Sequence, residues 1–192
     1  MLKWPMQLFS TTMSTTNKPT EYDVTFAVKE WLLAHGWDVI AFNPPGSQGT
    51  FTIPDPAKDP NYRGQTGSES PDIIAVKNSN NILIVESKPQ YERSDVIKLL
   101  GLARNKARID LMLELLEKVC SANSVSFKRP VRIFLAKAHG GKERPRKGMQ
   151  TFIVSTDVNW DPDQIDPASD PYLSMSVEFF GETSSIQKLV EG

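Results

Sequence analysis

The feature that most constrains this chain is a pair of short apolar runs, Asp72-Ile73-Ile74-Ala75-Val76 and Ile82-Leu83-Ile84-Val85, separated by Lys77-Asn78-Ser79-Asn80-Asn81. Runs this short, rich in β-branched residues, are of strand length, and an Asn- and Ser-rich spacer suits a tight reversal. The sequence therefore predicts an antiparallel hairpin, and the rest of the fold has to be arranged around it.

The flanking segments supply helices and further strands. From Glu21 to His35, residues Val24, Ala27, Val28, Trp31 and Leu32 recur on one helical face, and Gly36 stands where a C-terminal cap belongs. Trp37 to Phe42 reads as a strand ended by Asn43-Pro44-Pro45-Gly46. Ser94-Asp95 opens one long helix carrying apolar residues from Val96 to Val119, which would pack on the sheet. Val131 to Ala136, Phe152 to Ser155 and Val177 to Phe180 are read as additional strands. This is an α/β pattern without internal repeats. Pro44 to Ser70 is a Gly/Pro-rich connection broken only by Phe51-Thr52-Ile53, a length associated with function or disorder. Residues 1–20 are polar and aperiodic and are expected to be a mobile arm; residues 21–192 form one expected domain, with an acidic, Pro-rich connection at 156–176.

The lone Cys120 lies in an apolar stretch, as expected for a buried thiol in a reducing compartment. No apolar run approaches the roughly 20 residues needed to span a bilayer, and Pro5 breaks the opening segment, so neither a membrane span nor a signal peptide is expected. The cytoplasm is the expected location. The formal net charge is only −1, but the charges are segregated. Lys137, Lys142, Arg144, Arg146 and Lys147 stand against the single acid Glu143, and Asp157, Asp161, Asp163, Asp166 and Asp170 follow. The basic segment is a candidate contact for nucleic-acid phosphates, although a charge run alone is more often a solvated loop. His35 and His139 are expected at the surface.

The hairpin also places chemistry. In an antiparallel pair the start of one strand lies beside the end of the next, so Asp72 and Glu86 come to the same end of the sheet. Glu86 and Lys88 leave their strand on one face, and Ser87 points away. Two carboxylates, with the Ser87 backbone carbonyl, suit a hard cation such as Mg²⁺ that keeps several waters, and Lys88 could orient water or meet charge on a phosphoryl group. The bland alternative is a charge pair on a sheet edge. Against it, charged groups at the end of a wholly apolar run are costly to desolvate without a partner. Pro54-Asp55 has the same dipeptide but no following strand, and is taken as a decoy.

Pro71-Asp72 followed by Glu86-Ser87-Lys88, within the order helix, strand, hairpin, helix, strand from Glu21 to about Ala136, resembles the PD-(D/E)xK nuclease superfamily of restriction-endonuclease-like proteins. The resemblance implies an αβββαβ core, with a mixed central sheet flanked by helices, and Mg²⁺-dependent hydrolysis of DNA phosphodiesters, with Mn²⁺ able to substitute. It also implies that Asp72 and Glu86 hold the metal, that Lys88 is the catalytic lysine and that a glutamate of the first helix completes the site. Glu21 and Glu30 both qualify; Glu21 is preferred because it shares the apolar face. Within the superfamily, a restriction-type endonuclease or cleavage subunit acting on double-stranded DNA is favoured, working as a homodimer or with a larger partner. The alternatives are a resolvase or repair nuclease, and a DNA-binding or scaffold protein that does not cut. A small-molecule α/β enzyme would need a Gly-rich phosphate loop, a nucleophile elbow or a His/Cys metal cluster, none of which is in the sequence.

Overall fold

The computed structural model describes residues 19–47, 49, 51–57, 67–140, 150–156 and 175–180. Helix α1 spans Glu21–Ala34. Thr20 caps it: its Oγ1 accepts from the Asp23 backbone N–H, while the Thr20 backbone N–H donates to Asp23 Oδ2 at 2.7 Å. The helix ends as the glycine predicts. Gly36 takes φ +72°, and the N–H groups of Gly36 and Trp37 close back on the carbonyls of Leu33 and Leu32.

Strands β1 (Asp38–Phe42), β2 (Ile73–Lys77) and β3 (Asn81–Lys88) form an antiparallel meander, with the expected hairpin between the last two. Asn78 and Ser79 turn the hairpin at positive φ, a conformation that Asn adopts more readily than most residues. Helices α2 (Arg93–Arg104) and α3 (Lys106–Ala122) then cross to β4 (Arg132–His139), which lies parallel to β3. β5 (Gln150–Thr156) is parallel to β4, and β6 (Met175–Phe180) closes the edge antiparallel to β5. The result is a six-stranded mixed open sheet in the order β1-β2-β3-β4-β5-β6.

The sheet is sandwiched. Val24, Ala27, Val28 and Leu32 of α1 pack on Ile73, Ala75, Leu83, Val85, Ala136 and Phe152. The other face buries Ile74, Val76, Ile82 and Ile84 under Leu99 and Leu102 of α2 and Met112, Leu116 and Cys120 of α3. Strands covered on both faces lack polar alternation, which explains the continuous apolar runs. Cys120 is buried as expected, and burial, aided by the charge of Asp38, pushes its thiol pKa up.

Three expectations need correction. The single long helix is two, because Asn105 leaves helical geometry (φ −91°, ψ 92°) and its side chain accepts from the Arg108 N–H, starting α3 afresh. β4 runs to His139 rather than Ala136, which draws Lys137 out of the basic segment and into the sheet. His139 is 1% exposed rather than a surface group. His35 is half-buried, stacked on Trp31.

The long connection after β1 is tied down at both ends. The Asn43 amide donates to the carbonyls of Phe51 and Pro71, and Phe51 and Ile53 enter the core. Arg108 of α3 holds Glu69 at 2.9 Å, the Gly67 carbonyl at 2.9 Å and Asp55 at 3.6 Å, so the decoy Asp55 has a structural partner. The expected mobile arm, apart from residues 19 and 20, most of the acidic connection, and Lys142, Arg144, Arg146 and Lys147 lie outside the described residues. None of the described helices is long and apolar enough to cross a membrane.

Candidate active site at the carboxyl end of β3

Asp72 precedes β2 by one residue, and Glu86 lies near the end of β3. Since Ile73 pairs with Val85, continuing the register by one residue sets Asp72 opposite Glu86. Asp72 Oδ2 accepts the Ser87 backbone N–H at 2.6 Å, which fixes the carboxylate against the end of the hairpin. Asn43 positions this end from behind, because its N–H bonds the Asp72 carbonyl at 2.8 Å.

Both acids are electrostatically strained. Glu86 is only 4% exposed, and burial, followed by the negative charge of Asp72, raises its pKa to about 7, even though Lys98 pulls it down. Burial likewise raises Asp72 to about 6, against the lowering effects of the Ser87 N–H and Lys98. Two carboxyl groups held together with raised pKa values mark a place where a cation would be welcome.

Two lysines already serve the cluster, one from each layer. Lys98 Nζ of α2 lies 2.8 Å from Glu86 Oε1, and Lys88 Nζ lies 2.7 Å from Glu21 Oε1 at the start of α1. Burial disfavours the Lys88 ammonium, but the Glu21 bond and the nearby charges of Asp95 and Asp72 outweigh it, so its pKa stands above the usual value. The same balance, set by Glu86, holds Lys98 up. Lys88 has the strand parity of Glu86, yet its partner belongs to the helix on the opposite face. Lys88 is the last residue of β3.

The structure thus brings Asp72, Glu86, Lys88 and Glu21 to one end of the sheet. Glu30 instead points away, exposed and paired with its neighbour Lys29. Ser87 is fully buried, and its Oγ has no hydrogen-bond partner among the described residues, in keeping with a side chain aimed away from the acids. Lys137 is placed beside Glu86, its register partner across β3 and β4. Sequence reasoning missed Lys98, Asp95 and Tyr91. Only the spacing of Asp95 and Lys98, one helical turn apart and followed by the buried Leu99 and Leu102, hinted that α2 brings charge to the sheet. A small cavity opens here, lined by Glu86, Lys88, Tyr91, Asp95, Lys137 and His139 among others.

Among the described residues no three His, Cys, Asp or Glu side chains form a ready-made metal-binding group. Asp72 and Glu86 provide two hard oxygen donors with mutual repulsion to relieve, a set that fits a cation retaining most of its own waters, as Mg²⁺ does, better than one enclosed by protein ligands.

The fold and this cluster define an α/β protein with a mixed six-stranded sheet and a charged cavity at the carboxyl end of its central strands. No protein-family model, curated protein or solved structure significantly matches the chain.

Proposed function

We propose that the chain is a Mg²⁺-dependent DNA endonuclease with a restriction-endonuclease-like core, of restriction type or a cleavage subunit, in the cytoplasm. The observation that carries this reading is the convergence of Asp72 and Glu86, both with raised pKa values, beside Lys88 at the end of the hairpin. Asp72, Glu86 and the Ser87 carbonyl would hold the cation, for which Mn²⁺ could substitute. When bound, such an ion neutralises charge on a phosphoryl group and acidifies water. Lys88, steadied by Glu21, is set to orient the attacking water or to meet the charge that develops on the phosphate oxygens. Asp72 is oriented by the Ser87 N–H and is ready to take its role, whereas Glu86 is held by Lys98, which the cation has to displace. Lys142, Arg144, Arg146 and Lys147 follow β4 in sequence and would supply contacts to the backbone of double-stranded DNA.

One observation favours a second reading, a protein of the same fold that binds DNA or scaffolds a complex without cutting. Glu86 and Lys88 are each satisfied by an ion pair, so the cluster holds together on its own charges. The deciding experiment is a time course on supercoiled plasmid with Mg²⁺, with Mn²⁺ and with chelator, alongside calorimetric titration of Mg²⁺. Metal-dependent nicking that falls at least about a hundredfold in folded Asp72→Ala and Glu86→Ala supports the nuclease. DNA binding without cleavage, together with no heat of Mg²⁺ binding, supports the scaffold.

A further inference from the structure

Lys98 is the only lysine of α2, and through it that helix meets the acids. Its Nζ lies 2.8 Å from Glu86 Oε1, and the two partners differ in setting: the Lys98 side chain is 37% exposed and the Glu86 side chain 4%. The lysine is the partner open to solvent. Its charge also acts on Asp72, lowering that pKa more than Lys88 does. One monovalent group thus serves as counter-ion to two carboxylates, which leaves the pair under-compensated. A divalent ion compensates it more fully, and as it takes Glu86 it repels an ammonium bound to the same carboxylate.

Displacement leaves Lys98 few destinations. Leu99, the next residue, and Leu102 are buried in the core under α2, so the backbone at Lys98 is anchored and only its side chain can turn. Its charge also feels Glu69, but that carboxylate is held by Arg108 at 2.9 Å. Asp95, one turn earlier on α2, is drawn more strongly to Lys88 than to Lys98. An ammonium tethered within a side chain's length of Glu86 therefore meets next the anion that arrives with the cation.

We propose that Lys98 is a second substrate-binding lysine, released from Glu86 by the cation and then bound to a non-bridging oxygen of the phosphodiester. The step exchanges one ion pair for another, and Lys98 makes and breaks no covalent bond. The inference rests on the phosphodiester-hydrolysis reading and deepens it, because the phosphate is then met by Lys88, steadied from α1 by Glu21, and by Lys98 from α2. It also makes tight phosphate binding conditional on the cation, since without one Lys98 stays on Glu86.

The test follows the ¹³Cε signals of ¹³C-lysine-labelled full-length protein by NMR through addition of Mg²⁺ and then of inorganic phosphate, with the Lys98 signal assigned by its loss in Lys98→Met. The expected result is a shift of the Lys98 signal at each addition. Phosphate affinity in saturating Mg²⁺, read by ³¹P NMR, should fall at least about tenfold in a Lys98→Met protein that melts as the wild type does. A Lys98 signal indifferent to Mg²⁺ or to phosphate, equal phosphate affinity in the two proteins, or no phosphate binding by the wild type overturns the inference. Should the Met variant melt early, Lys98→Gln takes its place under the same criteria. Plasmid cleavage by the same proteins separates the two claims. Mg²⁺-dependent phosphate binding that needs Lys98, in a protein that never cuts DNA, keeps the anion site and removes the nuclease reading. Cleavage by the wild type with phosphate affinity unchanged in the variant removes the inference and leaves the reading standing.

Discussion

Lys88, the last residue of β3, and Glu21, the first of α1, form an ion pair of 2.7 Å that joins the central hairpin to the helix on its far face. Each side chain is about one-quarter exposed, at 27%, so water screens the pair and its worth to stability is below about 1 kcal/mol. Its consequence is orientation. Glu21→Gln should leave the melting temperature nearly unchanged and lower single-turnover cleavage by roughly ten- to a hundredfold, with DNA affinity preserved. Rapid-quench kinetics beside a thermal melt checks this; an unaltered rate would remove Glu21 from the site.

The raised carboxyl groups make stability depend on pH. Unfolded, Asp72 and Glu86 titrate near 4; folded, near 6 and 7. Between these values the folded state binds more protons than the unfolded one, so stability falls as pH rises from about 4 to about 7. The loss should be several kcal/mol, up to about 6, should flatten in Glu86→Gln, and should be recovered by Mg²⁺ above pH 7. Urea denaturation at intervals across this range measures it. A wild-type curve that rises with pH would contradict the assignment.

Lys98 competes with any cation for Glu86. Lys98→Met should therefore tighten Mg²⁺ binding in calorimetry while costing roughly 1–3 kcal/mol of metal-free stability at pH 8, because it leaves a buried carboxylate uncompensated. Weaker Mg²⁺ binding would make Lys98 a support for the metal site instead of its rival.

Arg108 binds Asp55, Glu69 and the Gly67 carbonyl while only 12% of its side chain is exposed. Arg108→Ala should destabilise the protein by roughly 1–3 kcal/mol and speed proteolysis within the Pro44–Ser70 connection ahead of global unfolding. A digestion pattern identical to wild type would show that Arg108 does not hold the connection, leaving Asn43, Phe51 and Ile53 to do so.

A duplex presents its two scissile phosphates in two-fold related orientations, and one cluster attacks one phosphate at a time. We expect the lone chain, if monomeric in solution, to accumulate nicked circles, and concerted linearisation to require a homodimer or a partner subunit. Plasmid time courses paired with light scattering decide this; linearisation without a nicked intermediate by a strict monomer would contradict it.

Local pattern was enough for much of the scaffold. Short, β-branched runs separated by Asn and Ser favour strands around a turn, and helical spacing ending at Gly36 defines α1, because these choices depend on neighbours a few residues away. The meeting of Asp72 with Glu86 was legible for the same reason: a hairpin fixes its own register. Asn105 was harder to read, since nothing in the surrounding apolar spacing announces that its side chain will start a new helix. The apolar face of α1 already favoured Glu21 over Glu30, but the pairing of Glu21 with Lys88, the arrival of Lys98 at Glu86, and the burial of Lys137 and His139 near Tyr91 were decided only by tertiary structure. Each depends on how a helix or a parallel strand docks after a long crossover, and contacts between such distant segments are set by the packing of the whole core rather than by any local run of residues.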